Sequence, residues 1–304
     1  MQLVDIVWEK FAMSKLSREM KILAKQAGGS HKTVHDRIRI MDRFSRHLLT
    51  LNIQVRDVKH LKAKHVESYI ADRVSQGIAM RSLHNEMAAL RTVFRSAGRD
   101  KIVLSERLTN KALGLGGTSR AGTKLAIPEK VYQTALRTAQ QQDKGFACAL
   151  QLARLLGLRS QEAVQCANSL KTWQKELEQN RATLTVVFGT KGGRSRETRI
   201  LDREAVKLAV KEAQQVAETR GGKLIDKPNL KTAMNFWRSH TTRLGLTGHY
   251  SPHSLRYAWA QEAISYYLAA GFTRIEARAL TSMDLGHGDG RGRYVERVYT
   301  RKEA

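Results

Sequence analysis

Only three prolines occur in 304 residues: Pro128, Pro228 and Pro252. Proline removes a backbone donor and clashes with the preceding turn, so a chain this poor in it can run long, uninterrupted helices. The apolar spacing says that it does. In 32–50, Val34, Ile38, Met41, Phe44 and Leu48 recur at intervals of three and four, one face of an amphipathic helix. Val66, Ile70 and Val74 repeat the pattern. Leu83, Met87, Leu90, Val93 and Phe94 give a further helix closed by Gly98. Residues 1–30 read as an extra helix ended by Gly28 and Gly29. The first hundred residues therefore predict a small helical bundle. A Gly-rich basic stretch follows, the natural linker. The second helical region begins at Pro128, a favoured first-turn residue. Residues 146–156 are apolar nearly all round, which predicts a buried helix broken at Gly157. The β-branched run 182–188 predicts a strand, 190–194 its turn and 197–201 the returning strand. The segments 203–218, 229–244, 253–270 and 273–284 read as helices. The expected fold class is mainly α: a helical domain over 1–112, a linker over 113–124, and an α-rich domain with a small antiparallel sheet over 125–304.

Charge narrows the function. Lys and Arg number 53 against 28 Asp and Glu, a net charge of +25, and both halves of the chain share the excess. A polyanion is the fitting partner, gripped by two basic lobes rather than by one tail. Arg37, Arg39, Arg43 and Arg46 fall mostly off the apolar line of their helix and are expected to bind DNA. The two cysteines, Cys148 and Cys166, can build neither a disulfide framework nor a zinc site of usual spacing; both read as core residues in a reducing compartment. The sequence starts without a secretory pattern, and no apolar run approaches the ~18 residues of a membrane span. The expected location is the bacterial cytoplasm and nucleoid, or the host cell of a phage, with no membrane.

Four segments carry residues suited to phosphate chemistry. Arg159 follows the helix break at Gly157, where a rigidly held guanidinium can clamp a phosphate through two N–H groups. Glu162, three residues on, can orient it. Lys191 lies at a turn tip and can donate a proton to a leaving oxygen, with Arg194 and Arg196 beside it for the DNA backbone. Taken singly, these read more readily as an ordinary helix start and exposed turn cations. His253 and Arg256, three apart after Pro252, share a helix face at an N-terminus, which favours an anion. The run 285–299 sets His287 on a Gly-rich loop ahead of two tyrosines, Tyr294 and Tyr299. Tyr266 and Tyr267 read as helix-face packing.

Taken together, the motifs Gly-Leu-Arg159-Ser-Gln-Glu162, Thr-Lys191-Gly-Gly, Pro-His253-Ser-Leu-Arg256, Leu-Gly-His287 and a C-terminal Tyr resemble the tyrosine recombinase (phage integrase) family. The order and separations match over about 125–304, and the basic helical part before them resembles the family's core-binding domain. The resemblance implies a SAM-like N-terminal domain and a C-shaped DNA clamp. It also implies a site-specific recombinase that uses no metal and no cofactor. A tyrosine attacks a phosphodiester to form a 3′-phosphotyrosyl link and frees a 5′-hydroxyl; a 5′-hydroxyl of the partner duplex then attacks that link, releasing the tyrosine and exchanging strands. Arg159 and Arg256 would stabilise the transition state, Lys191 would protonate the leaving oxygen, His253 would assist proton transfer and His287 would hydrogen-bond the phosphate. The implied partners are double-stranded DNA at attachment sites, three further copies in a homotetramer, and an accessory directionality or bending protein. The implied role is integration or excision of a mobile element. Dimer resolution, DNA inversion and a catalytically silent DNA binder stand as alternatives.

The chain departs from the family pattern in two places. Tyr294 comes slightly early and Tyr299 slightly late after His287. Gly288, Gly290 and Gly292 can lengthen the loop and favour Tyr299 as nucleophile, with Tyr294 as the alternative. Only five residues follow Tyr299 in the sequence, so the helix that docks on a neighbouring subunit in many relatives is expected to be missing.

Overall fold

The computed structural model describes residues 14–117 and 121–300. The chain divides into two compact units, Met1–Ser119 and Arg120–Ala304.

Among the described residues, the first unit holds five α-helices: α1 (Lys15–Gln26), α2 (His31–Thr50), α3 (Ala63–Ser75), α4 (Met80–Ser96) and the short α5 (Asp100–Val103). The expected extra helix at the start is α1; the part of that expectation covering 1–13 lies outside the described residues. Ser14 and Ser30 cap α1 and α2, accepting from the N–H groups of Ser17 and Thr33 at 3.1 and 3.2 Å, which satisfies donors that a helix start leaves open. Met20, Met41, Phe44, Leu48, Tyr69, Met87 and Val93 meet in the core. Phe44 and Tyr69 pack edge to face at 5.4 Å. Val74, expected on the inner face, is exposed.

Inside this core sits Glu86. Its carboxylate accepts from Tyr69 Oη at 2.7 Å, Arg73 Nη2 at 3.0 Å and Arg43 Nη2 at 2.9 Å. Burial alone would raise its pKa; Arg73, Tyr69 and Arg43 outweigh it and hold the carboxyl below its usual range.

The buried stripe of α2 corrects one sequence expectation. It runs through Arg37, Ile40, Met41, Phe44 and Leu48, so Arg37 is not a DNA-facing cation. Its position lies in line with Met41, Phe44 and Leu48 at helical spacing, and its Nη1 donates to Ala24 O at 2.8 Å and Gly28 O at 3.0 Å. There it satisfies the open carbonyls at the C-terminal end of α1, where a cation is electrostatically favoured. Arg43 is half-buried against Glu86. Arg39 and Arg46 are exposed, Arg46 paired with Asp42 at 3.2 Å.

The second unit holds α6 (Glu129–Gln142), α7 (Lys144–Leu155), α8 (Ser160–Gln165), α9 (Leu170–Glu178), strands β1 (Thr183–Val186) and β2 (Arg196–Arg199), then α10 (Arg203–Glu218), α11 (Leu230–Arg243), α12 (His253–Ala269), α13 (Arg274–Asp284) and α14 (Gly292–Tyr299). The two strands pair antiparallel, Thr183 opposite Arg199 and Val186 opposite Arg196. Both are shorter than expected. Val187 and Phe188, although strand-forming in type, leave the ladder and are exposed. Phe146, Leu150, Trp173, Leu184, Val206 and Trp237 belong to one large core. Burying a side chain such as Leu150 stabilises the unit by roughly 1.5–3 kcal/mol before entropy is counted. The free cysteines Cys148 and Cys166 are both buried. A smaller cluster, with Tyr257, Trp259, Tyr267, Leu285, Val295, Val298 and Tyr299, joins α12, α13 and α14. No helix among the described residues is long and apolar enough to cross a membrane.

Candidate active site

Gly157 sets the first piece of the site. It follows α7 with φ +56°, and a Cβ there would lie 2.8 Å from the Trp259 ring. Left-handed backbone and close approach both require glycine. The chain turns, and Arg159 becomes the residue that opens α8. Glu162, three positions on, reaches back in a capping box: its carboxylate accepts the Arg159 backbone N–H at 2.9 Å and the guanidinium at 2.5 Å. One acidic side chain thus fixes both the helix start and the direction of the arginine.

Three arginines surround Glu162. Arg196 Nη2 lies 2.8 Å from it, Arg159 Nη1 2.5 Å and Arg256 Nη1 4.0 Å. Burial pushes the Glu162 carboxyl up, but Arg196, Arg256 and Arg159 pull harder and set its pKa at about 2. It is ionised at every ordinary pH, and three cations against one anion leave the cluster positively charged. Arg256 is fully buried. Desolvation lowers its pKa to about 10, still high enough to keep it charged near neutrality.

Backbone carbonyls aim the arginines. Leu285 O accepts from both Arg159 Nη2, at 3.0 Å, and Arg256 Nη2. Gly157 O accepts from Arg256 Nη1 and from Arg196 Nη2. The loop after α7, the N-terminal turn of α12, strand β2 and the end of α13 therefore meet at two carbonyl oxygens.

Arg196 is a second correction. Expected on the DNA backbone, it is buried on the inward face of β2, donating to Asp284 O at 2.5 Å besides Glu162. Alternation places 196, 198 and 200 on the core side, so it serves as the strut that ties β2 to α8 and α13. That signal was readable, since Leu184 and Val186 show the same period on the facing strand. Arg194 is exposed, as is Lys191. Lys191 stands on a tight turn with Gly192 and Gly193 at positive φ. The turn carries it outside the hydrogen-bonded arginine cluster.

Tyr299 ends α14. It is 1% exposed; its Oη lies 2.9 Å from His287 Nε2 and 3.4 Å from Arg256 Nε. His253 packs its ring 6.2 Å from the Tyr299 ring. Tyr294 instead stacks its ring edge on His287 at 4.9 Å. Desolvation, reinforced by Arg256 and Arg159, lowers the His287 pKa to about 3. One edge of His253 is open to solvent; its packed side and the Arg256, Arg159 and Lys124 charges depress its pKa to about 4. Both imidazoles are neutral at pH 7. The structure thus gathers Arg159, Glu162, His253, Arg256, His287 and Tyr299 into one cluster. Its open rim is formed by Arg159, His253 and His287, with Arg256 and Tyr299 behind.

Sequence reasoning missed Tyr257, whose ring lies 4.6 Å from that of Tyr299. It also missed Gln261, whose Nε2 donates to Tyr299 O at 2.9 Å, and Asp284, whose carboxylate accepts from Tyr267 Oη at 2.7 Å. None of these has a spacing signature; they become neighbours of the site only when α12, α13 and α14 pack.

Comparison with known proteins agrees with this architecture. Residues 13–103 match the family model described as phage integrase, N-terminal, and residues 114–262 match the one described as integrase. The second match takes in Arg159, Lys191, His253 and Arg256 and ends before His287 and Tyr299. No curated protein matches the sequence. Among solved structures, the fold is similar to a lambda integrase dimer bound to a COC′ core site, at TM-score 0.63 and 16% identity over 95% of this chain and 78% of that one. It is similar to the Tn1549 transposon integrase in complex with transposon right end DNA, at 0.64 and 13% over 96% of each chain. It is also similar to the XerH site-specific recombinase bound to its difH substrate, at 0.57 and 15% over 97% of this chain and 83% of that one.

Proposed function

This chain belongs to the tyrosine recombinase (phage integrase) family and is a site-specific DNA recombinase, and we propose that Tyr299 is its nucleophile, attacking a DNA phosphodiester held by Arg159 and Arg256. The observation that carries the assignment is the Tyr299 hydroxyl, 2.9 Å from a neutral His287 Nε2 and 3.4 Å from the buried Arg256. Tyr294 packs the edge of its ring against His287 at 4.9 Å.

The reaction balances without an external energy source. The Tyr299 oxygen forms a bond to phosphorus while the bond from phosphorus to the 5′-oxygen breaks. The tyrosine proton passes to His287 along the 2.9 Å contact to Nε2, and the negative phosphate bound beside the imidazole favours its protonated form. The departing 5′-oxygen takes a proton from Lys191 as its turn follows the DNA into the site. Arg159 and Arg256 stabilise the charge on the pentavalent phosphorus, oriented beforehand by Glu162, Gly157 O and Leu285 O, so little reorganisation is needed as the charge develops. His253, on the rim, supports proton movement at the phosphate. The phosphotyrosyl ester conserves the energy of the broken bond, and a 5′-hydroxyl from the partner duplex reverses the chemistry to exchange strands.

Lambda integrase has been solved as a tetramer bound to a Holliday junction; by the same geometry of exchange, four copies of this chain assemble on two duplexes. The net positive charge supports the DNA grip, with exposed Arg39, Arg46 and Arg194 contacting phosphates. The work fits integration or excision of a mobile element in a bacterial cytoplasm or phage host, with an accessory protein setting direction. The decisive experiment is suicide-substrate trapping on a nicked cognate site. The wild-type chain forms a covalent adduct, and Tyr299→Phe abolishes it with DNA affinity nearly unchanged. An adduct that persists in Tyr299→Phe transfers the role to Tyr294, and no adduct with wild-type protein on its correct site leaves a DNA binder.

A further inference from the structure

The helix that ends in Tyr299 is held from three sides, and the closest backbone approach comes from the start of the second unit. The Gly122 N–H donates to Arg297 O at 3.3 Å. A Cβ at Gly122 would stand 2.1 Å from Val298 O, 3.0 Å from Val298 C and 2.7 Å from Tyr257 Oη. The first two atoms are backbone of α14 and cannot swing aside as a side-chain end can. From α12, Gln261 Nε2 donates to Tyr299 O, and the Tyr257 ring lies against the Tyr299 ring at 4.6 Å. From α13, Arg278 pairs with Glu296 at 2.5 Å. The Gly122 and Gln261 contacts fall on residues 297–299 themselves, the last turn of the helix.

We propose that Gly122 and Gln261 are positioning residues for the nucleophile: they set the depth and azimuth of the last turn of α14, and thereby the reach of the Tyr299 hydroxyl toward phosphorus. The inference rests on Tyr299 being the nucleophile. Gly122 is not required by left-handed backbone; it is required by the approach to α14. A side chain there pushes the turn outward by an ångström or more, and a misplacement of about 1 Å can cost on the order of 100-fold in rate. Arg159, Arg256 and His287 are held by other contacts, to Glu162, Gly157 O, Leu285 O and the backbone of Ser282, so the electrophilic half of the site is expected to survive.

This separation makes the test specific. Two reactions are measured at saturating protein. The first is adduct formation on the suicide substrate, which needs the tyrosine. The second is joining of a strand ending in a 3′-(4-nitrophenyl phosphate) to a strand with a free 5′-hydroxyl. There the 5′-oxygen attacks phosphorus, the bond to 4-nitrophenol breaks, and nitrophenolate is read by absorbance; the arginines are needed but the tyrosine is not the attacking group. Gly122→Ala is expected to slow adduct formation at least about tenfold while joining and DNA affinity stay within twofold of wild type. Gln261→Leu, which removes an anchor without adding an atom at the close approach, is expected to act in the same direction and decides the matter if Gly122→Ala does not fold. Wild-type adduct formation in both variants, or an equal fall in both reactions, overturns the proposal. An adduct in Tyr299→Phe removes the reading beneath it; loss of the adduct there, beside wild-type cleavage by Gly122→Ala and Gln261→Leu, overturns the positioning role alone.

Discussion

Each unit of this chain buries a glutamate among several arginines, Glu86 in the first and Glu162 in the second, and the two clusters differ in what they leave over. Around Glu86, Arg43, Arg73 and the Tyr69 hydroxyl fill the carboxylate; burial and Glu86 raise the pKa of that hydroxyl, so it stays protonated as a donor to the carboxylate, and the cluster braces α2, α3 and α4. Around Glu162, three arginines converge, two imidazoles are held neutral, and a tyrosine hydroxyl stands at the edge. The same device is a brace in one unit and, in the function proposed above, a phosphate clamp in the other. A buried ion cluster is thus poor evidence of function until its charges are counted and its neighbours named.

The largest effect that can break this comparison comes from removing one arginine of each cluster. Arg256→Ala is expected to slow single-turnover DNA cleavage by roughly 100–1000-fold, as loss of a preorganised transition-state donor does. Arg73→Ala is expected to leave the cleavage rate of the bound complex unchanged and to destabilise the first unit by about 2–4 kcal/mol in denaturant unfolding, because Glu86 is left underpaired. Equal losses of cleavage would mean that the Glu86 cluster takes part in chemistry.

Next in size is the exchange of each glutamate for glutamine. Both variants are expected to lose on the order of 3 kcal/mol of stability. Only Glu162→Gln is also expected to slow cleavage, by roughly 10–100-fold, because Arg159 loses the group that orients it. Single-turnover rates beside urea midpoints separate the two outcomes, and a Glu86→Gln variant slowed to the same degree would erase the distinction.

The smallest expected effect sharpens the picture of the second unit alone. Burial lifts the Asp284 pKa to about 6 from 3.8, against the opposing pull of Tyr267, Arg199 and Arg196, with Glu197 adding to the rise. Between those values the folded state holds more protons than the unfolded one. The contribution to stability is therefore full below about pH 3.8 and is lost as pH rises through about 6. Asp284→Asn has no such dependence. It should gain roughly 1–2 kcal/mol over wild type between pH 5 and pH 8, a few degrees in Tm. Parallel Tm profiles would show that Asp284 does not titrate in this range.

Helix identity was legible because the apolar period of α2 and α4 and the near absence of proline speak locally. The face of α2 was less so: Arg37 lies in line with the buried residues, and its burial is stabilised by carbonyls of α1 that only tertiary packing brings within reach. Phe188 had strand chemistry but no partner strand long enough to pair with it. Within the site, Arg159, Arg256 and His287 stood out through residue type and short spacing. Arg196 was misread as a surface cation because its company in the turn, Lys191 and Arg194, is exposed, although its alternation with Thr198 pointed inward. Gly122, Tyr257 and Gln261 left no trace in the sequence, since their importance lies in distances to a helix well over thirty residues further on.

Gly157 O and Leu285 O, which aim the three arginines, belong to the main chain. No side-chain substitution deletes a carbonyl oxygen. A lineage can therefore rewrite much of the surrounding sequence and keep the aiming points, provided the turn at Gly157 and the end of α13 stay in place. What heredity has to guard in this part of the site is the path of the backbone, a quantity that identity percentages between distant recombinases do not measure.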